Sequence, residues 1–284
     1  MGLISGLIQF FSVLFGFFQR IKIDQPENHV VMITGCDSGF GLLSVHRLLK
    51  LKYYVVALCL SEKGVAEIEE YCKSNGLSSR CLVLRCDVTK DADIQAVYER
   101  VNDLLQKNSR LKLWAIVNNA GIAPTGYTDW LSMDAFRKTM DVNYFSIIAI
   151  TKAFLSLLKR AKYSRIINIC SMAGQIGFAH GAAYCGNCPS LSFHEEPPFL
   201  FLLPPCHLGS KHAVEGLTKC LRQELLLWNI FVTNINPAYM KYSRTPSHPL
   251  SLLTSLPGRT PILQTAEKLR LDEWNRAPKE ITSQ

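Results

Sequence analysis

From about His29 onward, the chain alternates short apolar runs with segments of helical period. Six runs rich in β-branched or aromatic residues are predicted to be strands: His29–Thr34, Tyr53–Leu60, Cys81–Cys86, Leu113–Asn118, Arg165–Ser171 and Ile230–Asn236. The amphipathic segments between them are predicted to be helices: Glu62–Lys73, Asp91–Gln106, Asp134–Arg160 and Lys211–Trp228. Continuously apolar strands that alternate with helices are typical of a parallel sheet covered on both faces. The pattern therefore predicts an α/β fold with a doubly wound parallel sheet.

The N-terminus has a different pattern, because residues 1–19 contain no charged side chain and are rich in Leu, Ile, Phe and Val. This length is sufficient for a helix to cross the hydrocarbon layer of a membrane. A positive n-region and a small-residue cleavage site are both missing, so the segment favours an uncleaved membrane anchor over residues 1–22. A helix that lies on the membrane or in the core is the alternative. Arg20 and Lys22 follow at once, which by the positive-inside rule leaves the rest of the chain in the cytosol.

Two stretches have neither helical nor strand period. Gly186–Gly209 carries five prolines and a Phe-Leu-Phe-Leu-Leu run, and Ala238–Pro257 is rich in Ser, Pro and Leu. A structureless stretch of this length is unusual inside a compact domain. We therefore expect a catalytic domain over residues 29–237 that is interrupted by an insert over 187–209. Residues 238–284 are expected to form an irregular or truncated substrate region.

Composition narrows the choice of partners. A chain of 284 residues with 48% hydrophobic and 19% charged residues can bury one large core. The formal net charge of +8 suits an anionic cofactor or a phospholipid surface, but the basic residues are scattered singly, so nucleic-acid binding is not expected. Ten cysteines are spread along the chain, several of them inside apolar strands, and most are interpreted as buried thiols.

A glycine-rich segment, Thr34-Gly35-Cys36-Asp37-Ser38-Gly39-Phe40-Gly41, directly follows the first predicted strand and opens a helix. Glycines at such a turn let backbone N–H groups and a helix N-terminus approach a pyrophosphate. The position of the segment in the first strand-turn-helix unit predicts a dinucleotide site. The candidate cofactor-binding residues here are Thr34, Gly35, Ser38, Gly39, Phe40 and Gly41.

From about residue 29 to 237 the sequence resembles the short-chain dehydrogenases/reductases, most of all the branch of retinol, 17β-hydroxysteroid and 3-hydroxybutyrate dehydrogenases. The phosphate loop has the family form, and further family motifs follow in order: Asp87 in Cys86-Asp87-Val88-Thr89, the run Asn118-Asn119-Ala120-Gly121, Asn143, and Ser171. The resemblance implies a Rossmann-like fold and an NAD(P)(H)-dependent oxidoreductase. It also implies that Asp87 contacts the adenine and that Asn118, Ala120 and Gly121 line the cofactor.

The resemblance assigns the catalytic residues to Asn143, Ser171, Tyr184 and a lysine. Tyr184 follows Ser171 by 13 residues, about the family spacing. Ser171 would hold the substrate oxygen, Tyr184 would exchange its proton, and Asn143 would support a water relay through the lysine. The family places that lysine four residues after the tyrosine, but position 188 is Cys and the next lysine is Lys211. Tyr184 and Lys211 would also contact the cofactor.

Deleting 187–209 would restore Tyr184-Cys185-Gly186-Ser210-Lys211, a family-like Tyr-x-x-x-Lys. Because Phe, Leu, Pro and Ser codons dominate pyrimidine-rich tracts, we interpret the insert as translated intron. A similar excision of about 238–257 would recover a Pro-Gly pair after the sixth strand. A competing interpretation takes Cys185, Cys188 and Cys206, with His207 and His212, as zinc ligands, but no second ligand pair completes the site, and no metal is expected.

Cofactor choice depends on the end of the second strand, where an acidic residue binds the ribose 2′-hydroxyl. Cys59 stands there, and no arginine occupies the phosphate loop, so the resemblance favours NAD(H), while Lys63 leaves NADP(H) open. The predicted function is hydride exchange between NAD(H) and a lipophilic alcohol or carbonyl, retinol-like or hydroxysteroid-like, at the endoplasmic reticulum membrane. A homodimer is left open. The alternative is a catalytically silent, cofactor-binding membrane protein in which the insert separates Tyr184 from Lys211.

Overall fold

A computed structural model describes residues 25–124, 131–175 and 205–237, together with Ile23. In these residues the chain forms six strands: β1 (His29–Thr34), β2 (Tyr54–Cys59), β3 (Cys81–Arg85), β4 (Lys112–Asn118), β5 (Arg165–Ile169) and β6 (Phe231–Ile235). The same residues form six α-helices: α1 (Gly39–Lys50), α2 (Glu62–Ser74), α3 (Asp91–Lys107), α4 (Met133–Met140), α5 (Ser146–Leu158) and α6 (Pro205–Glu224). The predicted anchor over residues 1–22 lies outside the described residues and stays a prediction.

All six strands are parallel and follow the order β3-β2-β1-β4-β5-β6. The order reverses between β1 and β4, and in open α/β sheets ligands bind in the crevice at the carboxyl ends of the strands beside such a switch point. The predicted doubly wound, Rossmann-like sheet is confirmed in this part of the chain.

The first strand shows why the sequence forms a sheet covered on both faces. Val30 and Met32 belong to one buried cluster with residues of α3 and α5, whereas Val31 and Ile33 belong to another with residues of α1 and α2. Successive side chains of a strand point to opposite faces, so a strand that is apolar throughout must be buried on both. The continuous apolar runs in the sequence therefore mark the central strands.

The long predicted helix Asp134–Arg160 is interrupted in the structure. Helix α4 begins after Ser132, whose hydroxyl accepts a hydrogen bond from Ala135 N at 3.3 Å. A π-helical turn over Asp141–Phe145 then joins α4 to α5, which ends at Leu158. The combined helix Met133–Leu158 is long and apolar enough to cross a membrane by length and composition, but α5 packs against α3 and β4 in the core.

Helix α6 begins earlier than the sequence predicts. We expected irregular chain up to Gly209, yet residues 205–209 already form the start of the helix. Proline is tolerated in the first turn because its missing N–H has no partner there in any helix. The prediction of an irregular stretch is therefore wrong for these last five residues, and the rest of the insert lies outside the described residues.

A chain of amide hydrogen bonds crosses the sheet near its carboxyl edge. Asn118, Asn168 and Asn234 are in register on β4, β5 and β6. Asn118 Nδ2 donates to Asn168 Oδ1 at 2.8 Å, and Asn168 Nδ2 donates to the Thr218 hydroxyl of α6 at 2.8 Å. That hydroxyl donates in turn to Asn234 Oδ1 at 2.6 Å. This asparagine chain ties α6 to three strands.

The predicted cysteine environment is confirmed in the described residues. Five cysteines there are buried and none is in a disulfide: Cys36, Cys59, Cys72, Cys86 and Cys170. Burial raises the pKa of Cys59 to about 12 and that of Cys170 to about 11, so these thiols stay protonated at neutral pH.

Candidate active site

The glycine-rich segment forms a tight loop between β1 and α1. Gly35 has a φ of +68° and Gly39 a φ of +59°, both in the left-handed region that favours glycine. A Cβ on Gly41 would lie 2.2 Å from Gly35 O, and a Cβ on Gly35 would lie 2.7 Å from Ala120 Cα. The backbone is therefore closely packed at this turn, directly before the N-terminus of α1, and helix N-termini bind anions.

The segment directly after β4, on the other side of the switch point from β1, binds the glycine-rich loop. Thr34, at the end of β1, accepts hydrogen bonds through its hydroxyl from Asn119 N at 3.0 Å and Ala120 N at 2.9 Å. The Asn119 side-chain amide donates to the carbonyl oxygens of Thr34 and Gly35, both at 2.9 Å. The segment after β4 therefore fixes the phosphate loop.

Asp87 lies just after β3, at the same edge of the sheet. Its carboxylate accepts from the Thr89 hydroxyl at 2.7 Å and from Thr89 N at 3.1 Å, and Lys90 Nζ lies 3.7 Å away. The Thr89 hydroxyl is the main cause that lowers the pKa of Asp87, so the group is ionised at neutral pH.

Asn143 lies in the middle of the π-helical turn and is 1% exposed. Its side-chain oxygen accepts from Ile122 N at 2.8 Å, while its Nδ2 donates to Ile122 O at 3.0 Å and to the Ser210 hydroxyl at 2.9 Å. One amide thus links the segment after β4 to α6. π-Helical turns are frequent at functional sites, which agrees with this position.

Lys211, the next residue of α6, is 4% exposed, and its Nζ donates to Ile169 O at 2.8 Å. A Cβ on Gly121 would meet both Asn143 Oδ1, at 3.3 Å, and Lys211 Nζ, at 3.8 Å. Among the described residues, the ion pairs involve other side chains and none includes Lys211. A buried ammonium without a carboxylate is costly, and such groups cluster at functional sites.

The described residues fit a dinucleotide. Side chains at Gly35 or Gly41 would collide with the loop backbone or with the segment after β4, so the loop needs glycine there. The N-terminus of α1 directly follows the loop, and the N–H groups of a helix N-terminus bind a pyrophosphate. The predicted cofactor residues after β1, β3 and β4 share one edge of the sheet with Asn143 and Lys211. A bound nicotinamide would supply the hydride chemistry; Thr34, the loop glycines, Asp87 and Gly121 would hold the cofactor.

Comparison with known families agrees with this geometry. The model of the short chain dehydrogenase family matches residues 29–187, more than half of the chain. The chain belongs to the short-chain dehydrogenase family. The match ends where the insert predicted from the sequence begins.

Two curated relatives are similar to this chain over more than four fifths of its length. It is 31% identical over 240 residues to 17-beta-hydroxysteroid dehydrogenase type 6 of Bos taurus, covering 84% of this chain and 65% of the relative. It is 31% identical over 242 residues to retinol dehydrogenase 16 of Mus musculus, covering 85% of this chain and 64% of the relative. The chain thus spans slightly less than two thirds of the length of these relatives.

A solved structure shares the fold. Gluconate 5-dehydrogenase from Burkholderia cenocepacia J2315, crystallised with NADP and tartrate, aligns with a TM-score of 0.60 at 20% sequence identity. The alignment covers 78% of this chain and 74% of the other chain. At this identity the likeness supports the fold alone.

The remaining predicted catalytic residues are less fully described. Ser171 follows β5, and its carbonyl accepts from Gly174 N at 2.9 Å in a short helical turn over Met172–Gly174. Tyr184 lies outside the described residues, as do Cys185 and Cys188 of the zinc interpretation. The structure therefore brings Asn143 and Lys211 together near the carboxyl end of β5, and the tyrosine stays a prediction.

Three residues that hold the candidate site together were not predicted from the sequence. Asn119 fixes the phosphate loop, Ser210 joins Asn143 to the helix of Lys211, and Asp37 binds the segment after β2. Asn119 lies within the run Asn118-Asn119-Ala120-Gly121, Asp37 lies within the glycine-rich segment, and Ser210 directly precedes the lysine. Their partners lie far away in the sequence, so residue spacing gave no signal of their roles.

Replacing Lys211 with Met is expected to remove a pH-dependent component of stability. Burial lowers the pKa of Lys211 from its ordinary 10.5 to about 8, so between these values the unfolded chain binds more protons than the folded one. The free energy of unfolding of the unmodified chain should therefore rise, relative to Lys211→Met, as the pH increases from about 8 to about 10. The full difference is about 3 kcal/mol.

Urea unfolding of both proteins between neutral pH and about pH 10 measures this difference. Lys152→Met, at an exposed position of α5, is the matched control for the loss of one lysine. If the unfolding free energies of the unmodified chain and Lys211→Met stay parallel across that range, Lys211 is not a buried cation.

Proposed function

We propose that this chain exchanges a hydride between NAD(H) and a secondary or allylic alcohol, or its carbonyl, on a lipophilic molecule such as a retinoid or a hydroxysteroid. The observation that carries the proposal is the buried Lys211 ammonium, held with Asn143 around Gly121 beside the phosphate loop. A cation at that point serves to lower the pKa of a neighbouring acid and to hold a ribose hydroxyl.

Four residues carry the proposed proton chemistry. Ser171 holds the substrate oxygen, and Tyr184 gives or takes its proton. Lys211 lowers the pKa of the tyrosine, and Asn143 supports a relay of water through the lysine. The contacts of Asn143 with Ile122 and Ser210 support this assignment, because they leave the amide fixed next to the lysine.

The substrate class rests on two observations. Relatives of about 30% identity are named for retinol and for 17β-hydroxysteroids. Residues 1–19 are uncharged and long enough to span a bilayer, into which such molecules partition. We therefore propose a membrane anchor at the endoplasmic reticulum, with the catalytic domain in the cytosol. A chain that begins at Ile23 should leave the membrane fraction on lysis, and its full retention would exclude this anchor.

A second function is favoured by the insert. The family match ends at residue 187, and 23 residues separate Gly186 from Ser210. A chain in which Tyr184 cannot reach Lys211 would bind the cofactor and leave the alcohol unchanged. This silent protein differs from the proposed enzyme only in turnover, since both need the phosphate loop.

Turnover by the full chain in detergent separates the two functions. With NAD⁺ and either retinol or a hydroxysteroid, the formation of NADH should be slow but measurable. Lys211→Met and Ser171→Ala should reduce it by at least about 100-fold, the usual contribution of a positioned acid or base. Binding of NADH by the full chain without turnover, with turnover appearing only when residues 187–209 are removed, would favour the silent protein instead.

A further inference from the structure

We propose that Asp37, a residue of the phosphate loop, selects NAD(H) over NADP(H) by placing its carboxylate at the end of β2. The proposal rests on the proposed function and deepens it, since it concerns the specificity of the same cofactor site. It assigns this task to a residue of the loop, in place of an acidic residue on the strand itself.

The end of β2 lacks an acidic side chain of its own. In dinucleotide-binding folds an Asp or Glu at this point accepts a hydrogen bond from the ribose 2′-hydroxyl. Here β2 ends at Cys59, whose side chain is fully buried, and Leu60 follows it. Neither residue can accept a hydrogen bond from a ribose as a carboxylate would.

Asp37 supplies the missing carboxylate from the neighbouring loop. Its Oδ2 accepts from Leu60 N at 2.7 Å, and its Oδ1 accepts from Ser61 N at 2.9 Å and from the Ser61 hydroxyl at 2.6 Å. These donors are the two residues directly after β2. The contacts fix a carboxylate of the phosphate loop beside the end of β2, where dinucleotide-binding folds place the acceptor for the ribose.

The start of α2 is shaped around this carboxylate. A Cβ on Gly64 would lie 2.6 Å from Asp37 Oδ1, so glycine is needed in the first turn. The Ser61 hydroxyl that contacts Asp37 also accepts from Gly64 N at 3.0 Å and caps the helix. The helix cap Ser61 and the close approach of Gly64 therefore fix the position of the Asp37 carboxylate.

The charge on Asp37 is present at neutral pH. Burial alone would raise its pKa, but the Ser61 hydroxyl and the N–H groups of Leu60 and Ser61 outweigh burial and lower it. The neighbouring cation Arg85 donates to Leu60 O at 3.3 Å and lies 3.6 Å from a Glu62 oxygen. The positive charge of Arg85 is therefore partly balanced by Glu62 and not by Asp37.

A ribose 2′-hydroxyl can donate to Oδ2 of this carboxylate, which accepts only one of the three described hydrogen bonds. A 2′-phosphate would instead place about two negative charges next to the carboxylate, and like charges in contact repel each other. The arrangement therefore accepts NAD(H) and repels NADP(H).

Fluorescence titration of the full chain in detergent with NADH and with NADPH tests the proposal. The unmodified chain should bind NADH at least about tenfold more tightly, and Asp37→Ser should shift the ratio of the two Kd values by at least about tenfold toward NADPH. Asp103→Ser is the matched control, because it makes the same change of an acidic residue to serine at an exposed position of α3. It should leave the ratio within about twofold.

The outcomes are distinguishable. If neither nucleotide binds the unmodified chain, the proposed function fails at its cofactor. If both bind and Asp37→Ser leaves the ratio unchanged, or Asp103→Ser shifts it equally, the role of Asp37 is wrong and the function stands. Should Asp37→Ser fail to fold, the salt dependence of the unmodified chain still tests the proposal. Salt screens the repulsion between Asp37 and a 2′-phosphate, so the ratio of the two Kd values should approach one as the salt concentration rises to about 1 M. A ratio independent of salt overturns the proposal.

Discussion

Deletion of residues 187–209 is expected to raise the rate of alcohol oxidation by about 100-fold or more, because a misplacement of about 1 Å at a reacting group can cost that much. In the unmodified chain Tyr184 and Lys211 are 27 residues apart, and in the deletion variant they are four apart. Four residues make one helical turn and bring the two side chains to the same face.

The structure supports this expectation, because it shows that Lys211 is already held in a fixed position. Lys211 is bound to Ile169 O, the preceding residue Ser210 is bound to Asn143, and α6 has begun at Pro205. The deletion removes the first five residues of α6 and joins Gly186 to Ser210, so Tyr184 would take their place in the helix. Closing the long loop is not the obstacle, since each doubling of its length costs only about 0.6 kcal/mol.

Steady-state turnover of retinol or a hydroxysteroid by both chains measures the effect, with NADH affinity as the second observable. Affinity should change little, because the phosphate loop is the same. A variant in which a Gly/Ser linker of equal length replaces 187–209 is the matched control and should remain slow. Equal turnover by the unmodified chain and the deletion variant would show that the insert is a tolerated surface loop. Genomic DNA without splice signals at both junctions would exclude a retained intron as its origin.

Gly41→Ala is expected to abolish NADH binding, with a rise in Kd of at least about 100-fold, equivalent to about 3 kcal/mol. The new Cβ would lie 2.2 Å from Gly35 O and 2.7 Å from Asn119 Nδ2. Both atoms are fixed, since that amide donates to the carbonyl oxygens of Thr34 and Gly35. The methyl group must therefore displace the loop backbone itself.

Gly216→Ala is the matched control, because a Cβ on Gly216 in α6 meets nothing within 4 Å. It should keep NADH affinity and stabilise the helix slightly. NADH titration and thermal unfolding of both variants check the prediction. If Gly41→Ala folds and binds NADH as the unmodified chain does, the loop does not hold the cofactor.

The sequence predicted those features that arise from local patterns. Strands such as β1 are buried on both faces, so their apolar runs are unbroken, and the phosphate loop needs glycines that stand close together. The π-helical turn around Asn143 was not predictable, because a change in backbone hydrogen bonding leaves no periodic signal. The cofactor selection proposed for Asp37 depends on its contacts with Leu60 and Ser61, about two dozen residues away in the sequence. Only the folded chain shows these contacts.

The asparagine chain across β4, β5 and β6 has a consequence for strand register. A slip of one residue turns every side chain of a strand to the other face. Displacing β5 by one position would move Asn168 away from Asn118 and Thr218 and leave buried amide groups without partners, at about 1–3 kcal/mol each. An apolar core alone would tolerate such a slip better. Thr218 lies two helical turns after Lys211 on the same helix. The hydrogen bonds of Thr218 with Asn168 and Asn234 therefore also fix the position of Lys211 along the strands.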